Sequence, residues 1–396
     1  MIQLSHRRTP HPPGVRYRRV RALSATLGAV LVLGSGCAFG PPKADRAGAP
    51  PRFPTPSVSP SDEGGEQEVV ATVLAKNLEV PWGVAFLPDR SALVTERDSA
   101  RILRVGPESG PDGLTVTEVQ RLTEVQAGDE GGLLGIAVSP KYDSDKTVYV
   151  YYSTAKDNRV AKLTLGGVPA PILTGIPRSA SDNGGQVAFG PDGYLYVTTG
   201  DASAGGSKPN PKGLGGKILR MTTAGKPAPG NPAKNSLVWS SGHRDVQGIA
   251  WDPSKRMFAA DSGPRAGELN LITKGGDYGW PSAEGETTDK KLKSPLVTWP
   301  VKDSGCAGVA VLDKIVTTAC LDGQRIWLIE TTGSGTVFGQ PRPIATGEYG
   351  RLRGVVAAPD GSLWVTTSNR DGQGEPKPDD DRIIRLVFSG GGAGRT

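Results

Sequence analysis

Residues 182–201, DNGGQVAFGPDGYLYVTTGD, decide the fold. Val187 and Phe189 alternate on one short strand pattern, Leu195 to Thr199 forms a second, and Gly190-Pro191-Asp192-Gly193 joins them. Pro191 presets φ for a turn and Asp192-Gly193 supplies the tight reversal, so the stretch reads as a β-hairpin. Two carboxylates, Asp182 and Asp201, bracket it.

The same hairpin recurs along the chain. WGVAFLPDRSALVTER begins at Trp82, LGIAVSPKYDSDKTVYVYYS at Leu134, GQVAFGPDGYLYVTTGD at Gly185, QGIAWDPSKRMFAADSG at Gln247, AGVAVLDKIVTTACLDG at Ala307 and RGVVAAPDGSLWVTTSN at Arg353. Each copy holds a small residue, alternating apolar residues, a turn and a second apolar strand. A further strand follows most of them, as in Ile102-Leu103-Arg104, Lys217 to Arg220 and Ile383-Ile384-Arg385. The copies stand roughly 45 to 65 residues apart, the length of a four-stranded blade. The fold expected is all-β, a six-bladed β-propeller of four-stranded antiparallel blades over residues 67–388, in preference to a β-sandwich. Ring closure is expected to combine residues 67–80 with the C-terminal strand Arg382 to Phe388, leaving a disordered tail at 389–396.

Composition agrees with many short strands and many turns. The 396 residues include 55 Gly and 34 Pro, and 36% are hydrophobic, enough for a large core. The net charge of +6 is concentrated at the start, where Arg7, Arg8, Arg16, Arg18, Arg19 and Arg21 face no acid. No basic stripe with interleaved aromatics appears, which argues against nucleic acid as a partner.

Residues 1–37 read as a lipoprotein signal peptide. A basic region precedes an apolar stretch from Ala22 to Leu33, too short for a membrane span, and Gly34-Ser35-Gly36-Cys37 has the form of a lipobox. Cys37 would then carry the lipid that holds the exported protein on the outer face of the cell membrane. An ordinary signal peptide is the alternative. Arg18-Arg19 leaves both the general and the twin-arginine export routes open. Residues 38–66, rich in Pro, Gly and Ser, read as a disordered tether. Cys306 and Cys320 flank a hairpin, and in an oxidising compartment a pair is expected to be bridged.

In a propeller the first strand of each blade lines the central channel. The residues just before each repeat should therefore meet at one mouth: Glu130, Asp182 with Asn183, His243 with Arg244 and Asp245, and Arg351 with Arg353. Three arginines and several carboxylates exceed what channel packing needs and point to an anionic ligand, with or without a metal ion. His243 has no partners for a Ser-His-Asp arrangement, and no Cys/His cluster suggests zinc.

Over nearly all of residues 73–388 the chain resembles the soluble quinoprotein sugar dehydrogenases, the glucose/sorbosone dehydrogenase family. The resemblance lies in VPWGVAF, EGGLLGIAVSP, NGGQVAFGPDGYLYVTTGD, GGKILRM, SGHRDVQGIAWDP, SGPRAGELNLITKGGDYGWP, LDGQRIW and RLRGVVAAPDGSLWVTTSN. It implies calcium and pyrroloquinoline quinone (PQQ) in a polar cleft, and oxidation of the anomeric carbon of a sugar by hydride transfer. Arg244, Arg351 and Arg353 match the arginines that face the cofactor's carboxylates, with Glu130 and Asp245 beside them. The carbonyls of Gly263-Pro264 match those that hold the cofactor's calcium, and Glu268 with Tyr278 matches a second, structural calcium site. Hard oxygen ligands suit that ion.

The departures fall at the chemistry. Asp182 stands where the family has its catalytic His, so Asp182 would have to act as the base, with Asp201 closing the hairpin beside it. The alternative is that Asp182 only caps a turn. Gln186 replaces an Arg, Asp322 replaces a Lys or Arg facing the cofactor, and Asp245 replaces an Asn. The loop GPRAGELNL is one residue shorter than is common and has lost an acid. Two readings follow: a sugar dehydrogenase that uses PQQ and calcium, or a non-catalytic propeller that binds a carbohydrate, a cell-wall component or a protein at the same face.

Overall fold

The computed structural model describes residues 68–110, 113–203, 210 and 212–389. The signal peptide with Cys37, the tether and the tail from residue 390 lie outside the described residues. The rest forms six four-stranded antiparallel sheets, the blades of a β-propeller. The first blade is Pro81–Phe86, Ala92–Glu96, Arg101–Gly110 and Gly113–Arg121; the second is Leu133–Val138, Thr147–Ser153, Asn158–Thr164 and Ala170–Ile176. The third is Gly184–Phe189, Leu195–Thr199, Lys217–Met221 and Val238–Ser241; the fourth is Val246–Trp251, Met257–Ser262, Ala266–Ile272 and Val297–Pro300. The fifth is Cys306–Leu312, Ile315–Cys320, Arg325–Glu330 and Arg342–Ile344. The sixth takes Leu352–Ala357, Leu363–Thr367 and Ile383–Ser389 from the C-terminal end and Glu68–Ala75 from the N-terminal end.

The closing strand pairs Glu68 with Ser389, Val70 with Val387 and Val73 with Ile384. Ser389, expected to begin the tail, is thus the last residue of the sixth blade. Antiparallel pairing across the seam removes the open edge that a linear array of blades would leave.

The hairpin reading holds at residue level, with Val187 opposite Val197 and Phe189 opposite Leu195. The second strand of the third blade is buried along its whole length, as are Ala92–Glu96 and Leu363–Thr367. Both faces of such a strand meet neighbouring blades, so its apolar residues run without alternation up to the polar pair that ends each of the three. The core therefore sits between blades. One layer, for example, packs Tyr149 and Tyr151 against Val187, Val197 and Leu219.

The small residue of the repeat has a definite task. Gly83, Gly135, Gly248, Gly308 and Gly354 occupy the same place in five first strands, each beside a register shift. A Cβ on Gly135 would stand 2.3 Å from the Gly185 carbonyl oxygen, and one on Gly248 2.2 Å from that of Ala307. The missing side chain lets the inner strand of the next blade close up around the channel. The third blade departs from the rule with Gln186, whose side chain joins Gln247 and Arg353 in lining the channel.

Cys306 and Cys320 lie inside the fifth blade's first two strands rather than flanking them, directly opposite each other, and form a disulfide.

Candidate active site

Asp182 stands at the mouth of the channel, just ahead of the third blade. Its backbone is left-handed, with φ 58°, a conformation that Asp tolerates better than most residues. Neighbours hold it there. Asn183 receives the Asn158 side-chain amide at 3.0 Å and the Ser179 backbone N–H at 3.1 Å, while the Tyr151 hydroxyl donates to its carbonyl at 2.9 Å. The Asp182 backbone N–H donates to Glu130 Oε2 at 3.0 Å. Gly200 passes so close that a Cβ there would overlap the Asp182 carbonyl.

The Asp182 carboxylate is buried and accepts from Arg244 Nη2 at 3.0 Å and from Ser203 Oγ at 3.1 Å. Burial raises its pKa; Arg244 and Ser203 pull it back, and the charges of Asp201 and Glu130 push it further up. Asp201 makes no hydrogen bond to Asp182. Its Oδ1 accepts from the Ser203 backbone N–H at 2.9 Å and its Oδ2 from the Trp280 indole at 2.7 Å, so Ser203 bridges the two acids. A cleft of about 480 Å³ opens here, lined by Ser181, Asp182, Asp201, Ser203, Arg244 and Trp280, with Pro264, Arg265 and Pro281.

Behind Asp182 lies a second layer of charge. Carboxylate oxygens of Glu130, Asp182 and Asp245 all come within 4.8 Å of one another. Asp245 is buried and its pKa rises to about 7, first from burial and then from the charges of Glu130 and Asp182. Its oxygens accept from the Gly184 backbone N–H at 2.8 Å and from Gln247 Nε2 at 2.6 Å. Gln247 Oε1 in turn accepts from Arg353 at 2.9 Å. One polar network thus runs across the channel from Asp182 to Arg353.

Because the folded-state pKa of Asp245 lies above its ordinary 3.8, the folded protein holds a proton there that the unfolded chain releases. Its stabilising contribution is present at low pH and is lost as pH rises from about 4 through about 7. Asp245→Asn, which removes the titration, should raise the melting temperature at pH 8 by several degrees and change it little at pH 5. Equal shifts at both pH values would show that Asp245 is ionised throughout.

Arg351 and Arg353 face each other across a buried acid, Asp371, which accepts from Arg351 Nε at 3.1 Å and from Arg353 Nη2 at 3.5 Å. Burial works against ionised Asp371, but the two arginines outweigh it and hold its pKa down. Arg353 has its pKa lowered to about 10 by burial first and then by the charge of Arg97; Asp371 and Glu130 oppose this, and Arg351 adds to it. Arg351 also pairs with Asp322 at 2.7 Å.

On the flank, Gly263, Glu268 and Tyr278 line a small cavity of about 10 Å³ together with Asp261 and Glu284. Burial, Asp261 and Glu284 push the Glu268 carboxyl up to about 7, against the hydrogen bonds from Asn270 and Gly285. Asn270 donates to Glu268 at 3.0 Å while its own buried Oδ1 has no donor. Pro264 lies in the cleft instead. His243, expected to lack the partners of a Ser-His-Asp arrangement, has both, Ser240 Oγ at 2.9 Å from Nε2 and Asp261 Oδ2 at 3.3 Å from Nδ1. The group is buried and the ring stacks on Tyr278 at 4.8 Å, a structural environment.

The channel mouth therefore brings together Asp182, Asp201, Glu130, Arg244, Asp245, Arg351 and Arg353. Sequence reasoning missed Asp371, Ser203, Trp280, Asp261 and Glu284. Asp261 had a usable signal, since it closes a second strand near the place Asp201 occupies in the third blade. Asp371 had none, because it lies in a loop after the sixth repeat.

Comparison with known proteins gives a consistent picture. The glucose/sorbosone dehydrogenase family profile matches residues 78–384. The PQQ-bound form of aldose sugar dehydrogenase from Streptomyces coelicolor is 42% identical and superposes with a TM-score of 0.76, covering 81% of this chain and 98% of that one. Quinoprotein glucose dehydrogenase B of Acinetobacter calcoaceticus is 30% identical over 62% of this chain and 60% of its own length. The aldose sugar dehydrogenase of Escherichia coli is 28% identical over 76% of this chain and 90% of its own.

Proposed function

The chain belongs to the glucose/sorbosone dehydrogenase family, and from that premise we propose that it is a quinoprotein oxidoreductase that oxidises the anomeric carbon of an aldose. The observation that carries this reading is Asp182, a buried carboxylate of raised pKa that reaches an open polar cleft beside Trp280. A carboxylate of raised pKa accepts a proton more readily than an ordinary one.

In this reading a pyranose lies in the cleft with an apolar face toward Trp280, and Asp201, Ser203 and Arg265 meet its hydroxyls. Asp182 takes the proton of the anomeric hydroxyl as C1 gives up its hydrogen with both bonding electrons and a C1=O bond forms. Arg244 steadies the Asp182 carboxylate before the transfer and releases it as the charge is neutralised.

PQQ, when bound, would supply the quinone that accepts the hydride. Arg351, Arg353 and Arg244 would hold its carboxylates, with Glu130 and Asp245 beside them. The residues fit such an anion at the arginine end, where Arg351 and Arg353 stand together and the basicity of buried Arg353 is lowered first by burial and then by Arg97 and Arg351, against Asp371 and Glu130. Calcium, on this reading, would be faced by the Gly263 and Pro264 carbonyls beside the cofactor and by Glu268 with Tyr278 at a structural site, where Asp261, Glu268 and Glu284 line one cavity. Reconstitution with PQQ and calcium should give dye reduction that depends on an added aldose. Complete lack of turnover over a panel of aldoses would refute the enzyme reading.

A specific observation favours the second reading, a non-catalytic propeller that binds a carbohydrate, cell-wall component or protein at this face. Arg244, Arg351 and Arg353 each already have a carboxylate partner. Under that reading an oligosaccharide would bind without PQQ and without turnover.

The protein's place is proposed as the outer face of the cell membrane, held by lipid on Cys37. The lipobox form of residues 34–37 and the Cys306–Cys320 disulfide support export. Labelled palmitate should enter the protein and be lost in Cys37→Ser; a native protein that takes up no label would contradict the anchor.

A further inference from the structure

Each guanidinium nitrogen of Arg351, a side chain only 9% exposed, has an acceptor. Nη1 donates to Asp322 Oδ1 at 2.7 Å, Nε to Asp371 Oδ2 at 3.1 Å and Nη2 to Gln373 Oε1 at 3.3 Å. The two carboxylates differ in kind. Asp371 is 2% exposed, serves Arg353 as well, and accepts from the Ser368 hydroxyl at 3.1 Å and the Gln373 backbone N–H at 2.9 Å. Asp322 is 44% exposed, and among the described residues its carboxylate has no hydrogen-bond partner besides Arg351.

The turn that carries Asp322 is held firmly. Leu321 N–H donates to the Gly305 carbonyl at 2.9 Å and Gly323 N–H to that of Ser304 at 2.8 Å, next to the Cys306–Cys320 disulfide. A fixed turn thus presents a solvent-reachable carboxylate to a buried guanidinium.

We propose that Asp322 is a displaceable carboxylate plug on the anion end of the cleft, holding Arg351 in the place a ligand carboxylate would take. The proposal rests on reading the cleft as a site for an anionic cofactor. A ligand carboxylate arriving at Arg351 exchanges one charge-assisted pair for another rather than adding one, and it meets the charge of Asp322 as it does so. Asp371 stays in place, because it is buried and shared between two arginines. Asp322 can turn to water, because nearly half of its side chain already faces it. Affinity for an anion is therefore set by a residue that donates nothing to the ligand.

The test compares the full chain with Asp322→Asn and Asp322→Ser, calcium present, by titrating PQQ and, separately, succinate as a redox-inert dicarboxylate. Equilibrium dialysis reads affinity at low and high salt, and thermal melting verifies that each protein is folded. Removing the plug should tighten PQQ binding about 10- to 100-fold and succinate in the same direction, with the difference shrinking at high salt. Equal affinities in native protein and either folded variant, or no binding of either anion to any of them, overturns the proposal. If the variants bind PQQ more tightly yet oxidise no aldose, the plug stands and the enzyme reading fails. If native protein oxidises aldoses while the variants bind PQQ no more tightly, the enzyme reading stands and the plug fails.

Discussion

Asp182→Asn should lower kcat for aldose oxidation by about 10²- to 10⁴-fold while leaving KM within a few-fold of native. The amide keeps the size of the carboxylate and can still accept from Ser203 and Arg244, so the loop and the cleft should survive. What it cannot do is take up a proton at neutral pH. The loss therefore falls on a step made only in the transition state, which lowers kcat and kcat/KM together. The native enzyme should also lose rate as pH falls, because burial lifts the Asp182 pKa above the ordinary carboxylate value and protonation removes the base. Steady-state kinetics of dye reduction across pH test both points. An Asn variant with native kcat would place the base elsewhere, and a carbohydrate-binding role would then rest on Trp280 and Asp201 alone.

A chain that begins at Pro81 should not form a stable propeller, whereas one that begins at residue 67 should melt like the full-length protein. The shorter chain loses the whole closing strand and with it the ladder to Ile383–Ser389. It also loses Leu74, Ala75 and Leu78, which pack with Ala92, Val94, Leu103 and Ile383 where the ring meets itself. Leu78 and Asp381 exchange two backbone hydrogen bonds, each at 3.0 Å, and Val80 donates to the Asp381 carboxylate at 3.3 Å. Burial of two leucine-sized side chains contributes about 1.5–3 kcal/mol each. Together with the exposed edge, that is a large share of the roughly 5–15 kcal/mol that stabilises a domain. Circular dichroism melting and size-exclusion chromatography read the outcome. A melting temperature within a few degrees of native would show that five complete blades hold the sixth without the strap.

The division between what could be read early and what could not follows the range of the forces involved. Hairpins such as Val187–Val197 are set by turn chemistry and by apolar residues a few positions apart, so six copies were legible, as was closure by the two ends of the chain. The meeting of Glu130, Asp182, Arg244, Asp245 and Arg353 was legible too, because a propeller places the residue before each inner strand at one mouth. The glycine in five first strands appeared in the sequence as a small residue; its reason, a neighbouring backbone 2.3 Å from where a Cβ on Gly135 would stand, needed the packed ring.

The pairing of charges belonged to tertiary structure alone. Asp322 reaches Arg351 from 29 residues away, Asp371 from 20 on the other side, and Arg244 meets Asp182 across 62. Asp322 closes the fifth copy of the repeat and Asp371 lies in the loop after the sixth. The period puts such residues at the end of a blade but does not relate a side chain of one blade to its partner on another. The sequence by itself determined six blades, their order and a mouth crowded with acids and arginines. Only the folded ring decided which acid neutralises which arginine, because an ion pair depends on separations of about 3 Å between atoms that the chain brings together only after every blade has closed.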